Sequence, residues 1–206
     1  TEDKMSEQDQ KRELALDLHR IGALKFGEFT YKSGAVGPMY LDLRLFISYP
    51  DVLKKVAKLY SSKLDGLKYD RLAGVAYAAL PIAGAISLER NEPWIFMRKE
   101  GLKKEYGLQK SLEGEYKDGD TVVMIEDLAN RATSLVEAID AVERHGLVVK
   151  DAVVLLDYDK GGRDILSDKG VSLHAFMTTL ELIEIMHSEG KIDQAKYDQC
   201  HEFLTN

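Results

Sequence analysis

The chain has only one cysteine, Cys200, so it can close no internal disulfide, and it offers no CxxC pair for zinc. That scarcity fits a reducing compartment, and Cys200 itself reads as a helix residue without a chemical role. No apolar run approaches the roughly 18 residues of a membrane span. The opening stretch TEDKMSEQDQKRE is polar and unlike a secretory signal, so a soluble, cytoplasmic protein is expected. Positive charge is also short: 28 Lys and Arg stand against 35 Asp and Glu, a net charge of −7. Non-specific nucleic-acid binding needs a basic face, and this balance argues against it. The histidines (His19, His145, His174, His187 and His201) are scattered without metal-ligand spacing, so no metal held by side chains is expected.

What remains is a chain of 206 residues, 45% hydrophobic and 31% charged, enough to bury one sizeable core under a charged surface. Residues 8–24 carry Leu14, Leu18, Ile21 and Leu24 at helical spacing. FGEFTYKSG (26–34) alternates apolar and polar residues, and MYLDLR (39–44) follows Gly37-Pro38; together they predict a hairpin-like hood. Pro50 opens a predicted helix over 51–64. RLAGVA (71–76), WIFM (94–97), TVVMIE (121–126), DAVVLLD (151–157) and VSLHAF (171–176) are short apolar runs. Helical patterns at 79–90 and 132–145 separate some of them. This order predicts an α/β fold, a Rossmann-like, mainly parallel sheet flanked by helices. Trp94 and Phe96 are expected to pack its core. Ligands of such sheets sit beyond the carboxyl ends of the strands. The tail, 179–203, reads as one or two helices broken near 188–190. A single domain over 1–206 is expected, with a hood at about 1–48, a core at about 50–176 and C-terminal helices at about 179–203.

The segment VVMIEDLANRATS (122–134) is the richest in chemistry. A strand ends in two acids, Glu126 and Asp127, and a polar turn leads to a helix beginning near Ala132. Backbone N–H groups at a helix start, with the hydroxyls of Thr133 and Ser134, suit a phosphate. The acids suit the diol of a ribose. An alternative is purely local: the acids favour the helix N-terminus and Asn130 caps it.

Five pieces in register resemble the orotate phosphoribosyltransferase family: FGEFTYKSG, GVAYAALPIA (74–83), RKE with KEYG (98–107), the acid pair, and LLDYDKGG (155–162). The resemblance runs from about residue 12 to 176. It implies the type I phosphoribosyltransferase fold, and transfer of ribose 5-phosphate from phosphoribosyl pyrophosphate to orotate with Mg²⁺. It further implies a homodimer whose sites share a loop. By this resemblance Lys32 meets the donor's pyrophosphate, and the turn at 76–79, with Tyr77, cradles it, usually through a non-proline cis peptide. Arg98 and Lys99 match a basic pair. Lys103 or Lys104 is the catalytic loop lysine, with Tyr106 beside it. Glu126 and Asp127 bind ribose, Tyr40 and Leu41 lie beside the base, and Asn130, Arg131, Ala132, Thr133 and Ser134 form the phosphate loop. Lysines, an arginine and Mg²⁺ would offset the charge that builds as pyrophosphate leaves.

Three departures stand out. The phosphate loop has Asn130, Arg131 and Ala132 where the family pattern has Thr, Thr or Ala, and Gly. Tyr158 stands where an arginine usually pairs with the orotate carboxylate. The segment between Glu100 and Lys104 is about two residues longer than the family pattern. Two other readings therefore stay open: a phosphoribosyltransferase for another base, or a weak or inactive relative that binds nucleotides or partners as a regulatory subunit.

Overall fold

The computed structural model describes residues 5–31, 34–98 and 111–206. Lys32, Lys99, Lys103, Lys104 and Tyr106 lie outside these residues. The chain divides into two compact units, Thr1–Val52 with Met177–Asn206, and Leu53–Phe176.

In the first unit, helix α1 (Glu7–Arg20) starts at Ser6, whose hydroxyl accepts from the Asp9 amide. Strands β1 (Leu24–Thr30) and β2 (Val36–Leu41) pair antiparallel, with an irregularity between Phe26 and Phe29. The hairpin is thus as expected, although β2 stops at Leu41. Asp42 there caps a 3₁₀ turn (Leu43–Ser48) by accepting from the Arg44 amide, which ends the extended backbone. At the other end of the chain, Thr178 and Glu181 form a reciprocal capping box. It opens α6 (Thr179–Ser188), and α7 (Gln194–Thr205) follows from Asp193. Lys11 of α1 pairs with Glu181 at 2.8 Å. Tyr31 stacks on Phe203 of α7. Cys200 is a buried helix residue.

In the second unit, helix α2 (Pro50–Leu64) leads into a six-stranded sheet of order β5-β4-β3-β6-β7-β8. The strands are β3 (Arg71–Gly74), β4 (Trp94–Met97), β5 (Leu112–Glu113), β6 (Thr121–Ala129), β7 (Val148–Asp157) and β8 (Ser172–Thr178). β3, β4, β6 and β7 run parallel, and β5 returns antiparallel on β4. Helices α3 (Ala79–Arg90), α4 (Thr133–Glu143) and α5 (Gly162–Asp168) follow β3, β6 and β7. One sheet face, with Ala73, Val75, Val122, Met124, Ala152 and Val154, packs on Leu135, Ala138, Ile139 and Val142 of α4. The alternate residues Leu72, Val123, Ile125, Val153 and Leu155 are equally buried, as covering on both faces of a parallel sheet requires. Each such aliphatic side chain contributes about 1.5–3 kcal/mol on burial.

Two expectations need correction. β6 does not end at Glu126, because Leu128 and Ala129 find partners in Leu156 and Asp157 of β7. Trp94 and Phe96 are only half-buried and stack on each other, while Ile95 and Met97 enter the core.

Candidate functional site

At the carboxyl ends of β3, β6 and β7 the second unit gathers most of the described site residues. After β3, the Ala76–Tyr77 peptide is cis, as the resemblance implies. Tyr77 is 60% exposed, and its carbonyl accepts the Leu80 amide as α3 begins. The helix cap is Ala78, which has no side chain to bond the first amides. The cap of α4 is Ala132, again without a polar side chain. Asn130 is therefore not the cap, contrary to the local alternative. Uncapped amides at a helix start are donors aimed outward, with a partial positive charge that suits an anion.

Ala132 is 4% exposed and sits in the left-handed region at φ 53°. That conformation costs a non-glycine residue about 1–2 kcal/mol. Asn130, Arg131, Thr133 and Ser134 around it are exposed. Ala132→Gly is expected to leave the melting temperature within a few degrees of the parent. Relief of about 1–2 kcal/mol is offset by loss of a buried methyl, about 0.8 kcal/mol, and by a freer unfolded chain, about 0.4–1 kcal/mol. Calorimetry would check it, and a gain of several degrees would mean the alanine is more strained than its φ implies.

The acid pair lies just upstream. Glu126 is 7% exposed and Asp127 half-buried. Glu126 Oε1 accepts from the Asp127 amide at 3.0 Å, and Asp127 Oδ1 accepts from the Leu128 amide at 2.8 Å. Burial first, then the Asp127 charge and a hydrogen bond between the two carboxyls, push the Glu126 carboxyl well above the ordinary glutamate range. Because the folded value is raised, this group's stabilisation is complete below the ordinary glutamate range and is lost as pH rises through the folded value. The melting temperature should therefore decline more steeply with rising pH in the parent than in Glu126→Gln. Parallel slopes in thermal melts across pH would contradict the assignment.

The turn after β7 closes on the same place. Tyr158 donates its amide to the Ala129 carbonyl at 2.8 Å. Asp157, 1% exposed, accepts from the Asp159 amide at 2.9 Å and from Arg163 at 3.1 Å. Gly162 lies so close to the turn at 130–132 that a Cβ there would meet the Asn130 carbonyl at 2.6 Å.

Arg98 follows β4 and pairs with Glu113 at 2.5 Å, while its amide donates to the Ser111 carbonyl at 2.8 Å. His145 Nδ1 donates to the Ala141 carbonyl at 2.9 Å, and Nε2 shares a hydrogen bond with the Ser111 hydroxyl at 3.0 Å. The two ends of segment 99–110 are thus tied together. In the first unit, Tyr40 tilts against Phe29 at 5.6 Å and Leu41 is buried opposite Leu24.

A left-handed loop before an uncapped helix, an acid pair and a cis turn all lie at the carboxyl ends of these strands. Residues 48–177 match the phosphoribosyl transferase domain. An orotate phosphoribosyltransferase of Pyrococcus abyssi is 35% identical over 84% of this chain and 96% of its own length. The chain belongs to the orotate phosphoribosyltransferase family. Another family relative is the bifunctional enzyme PyrF/PyrE of Nostoc sp., 37% identical over 90% of this chain. The chain spans only 38% of that protein's length. The structure of Leishmania donovani UMP synthase superposes with a TM-score of 0.87 and 38% identity. That match covers 95% of this chain and 42% of the other.

Sequence reasoning missed the contacts that Asp157 and Gly162 make at this end of the sheet. The GG of DKGG hints at a close approach without naming what is approached.

Proposed function

We propose that the chain transfers ribose 5-phosphate from phosphoribosyl pyrophosphate to orotate, giving orotidine monophosphate and pyrophosphate. The observation that carries this reading is the acid pair, a buried Glu126 and a half-buried Asp127 near the end of β6, followed by the uncapped start of α4. Two such carboxyls can accept from both hydroxyls of the ribose and favour the positive charge that develops at its anomeric carbon. The amides at 133–134 with the hydroxyls of Thr133 and Ser134 take the 5-phosphate, and Arg131 is a further cation for it. The turn at 76–79 cradles pyrophosphate. Lys32, Arg98, Lys99, Lys103 or Lys104, and Tyr106 carry over their roles by resemblance, as do Tyr40 and Leu41 beside the base. The division into hood, core and C-terminal helices, a homodimer with shared sites and a cytoplasmic setting belong to the same proposal.

Among the described residues no three side chains group to hold a metal ion. Mg²⁺ suits this setting as an ion that arrives on the donor's oxygens, since it keeps substrate and water ligands readily. Bound there, it would neutralise charge on the leaving pyrophosphate.

Orotidine monophosphate formation with Mg²⁺ and both substrates, alongside calorimetry of each ligand, tests the reading. Turnover supports it. Donor binding without orotate turnover would favour another base, in keeping with Tyr158. Failure to bind the donor would leave a relative without the enzyme's chemistry.

A further inference from the structure

Carbonyls of a regular strand point to alternate sides, so residues four apart face the same neighbour. β6 breaks this rule. The Ile125 carbonyl accepts from Val75 on the β3 side, whereas the Ala129 carbonyl accepts from Tyr158 on the β7 side. The alternation must therefore reverse once between them. The paired register passes from Glu126–Val154 to Leu128–Leu156 without a pairing at Asp127. At that gap, side chains take up backbone groups. The Tyr60 hydroxyl donates to the Glu126 carbonyl at 2.6 Å, and the two carboxyls accept the Asp127 and Leu128 amides.

The reversal has a geometric result. Successive side chains of a strand point to opposite faces of the sheet, yet at the gap the Glu126 carboxyl turns onto the Asp127 amide and the Asp127 carboxyl onto the Leu128 amide. The change of side within 126–129 is what lets the two carboxyls turn toward one place. We propose that Tyr60, a residue of α2 far from the pair in sequence, is a positioning residue that holds this reversal and so aims both carboxyls at one point. Its ring is 1% exposed, so the hydroxyl has no water to exchange with. Burial pushes it well above its ordinary value, and it stays a donor throughout the working range. The role rests on the reading of the pair as the ribose-binding group.

The test is Tyr60→Phe, which removes the donor and keeps the ring. Misplacing reacting groups by about 1 Å can cost about 100-fold, so kcat should fall about 10- to 100-fold. The donor KM should rise, the orotate KM should hold, and the melting temperature should change little. A merely structural role would lower the melting temperature and leave both KM values of the folded protein unchanged. Infrared titration of the protonated carboxyl band, assigned with Glu126→Gln, gives a readout independent of turnover. The band's midpoint should drop toward the ordinary range in Tyr60→Phe. If the parent makes no orotidine monophosphate, the function proposal fails while this titration still decides the role of Tyr60. If Tyr60→Phe does not fold, 4-aminophenylalanine and 4-methylphenylalanine at position 60 carry the test. The first restores a donor and should keep the midpoint high and the activity near the parent's; the second should not. Unchanged kcat, donor KM and midpoint on loss of the donor would overturn the proposal.

Discussion

Asp127→Asn is expected to cut kcat/KM for the donor by about 100- to 1,000-fold, the range seen when one preorganised electrostatic group is removed from a transition state. The substitution keeps the shape of the side chain and its oxygen toward the Leu128 amide. On the proposed function it removes a negative charge beside the ribose, where positive charge would build as pyrophosphate departs. It also relieves Glu126 of a neighbouring charge, so that carboxyl should ionise more easily, though burial still holds it up. The KM for orotate should change little. Steady-state kinetics at saturating Mg²⁺ would check this, and activity within about threefold of the parent would remove Asp127 from the reaction.

Gly162→Ala should act from the rear of the same site. A methyl there would lie 2.6 Å from the Asn130 carbonyl and 3.3 Å from both the Ala132 amide nitrogen and its Cβ. These contacts are mostly backbone, so the loop rather than a flexible side chain has to move. Overpacking of this kind costs about 1–3 kcal/mol, and each kcal/mol lowers the melting temperature by about 2–4 °C at this chain length. Displacing the amides proposed to take the 5-phosphate should weaken donor binding at least about tenfold, or about 1.4 kcal/mol. Calorimetry of donor binding and a thermal melt together test it. A stable protein with parental affinity would show that the loop and the turn after β7 are not packed as described.

Much of this was legible in the residues. Apolar runs bounded by turn residues gave the strands of the sheet, and the helical pattern at 79–90 coincides with the observed bounds of α3. The acid pair was legible through its place between an apolar run and a helix start; alone it also fits the electrostatics of a helix N-terminus, and the other family pieces in register set it apart. The rest depended on contacts distant in sequence. β6 outlasts its apolar run because Leu128 and Ala129 gain partners on β7. Nothing local to Tyr60 says that its hydroxyl reaches a strand 66 positions away. The two-residue strand β5 and helix α5 are too short for any periodic signal.

The tie between Arg98, Ser111, Glu113 and His145 has a consequence for how this enzyme family can vary. The antiparallel return of β5 on β4 thus has fastenings of its own at Arg98, Ser111 and Glu113, beyond the two paired positions of the strands. A change of chain length between residues 98 and 111 leaves those bonds with the same partners.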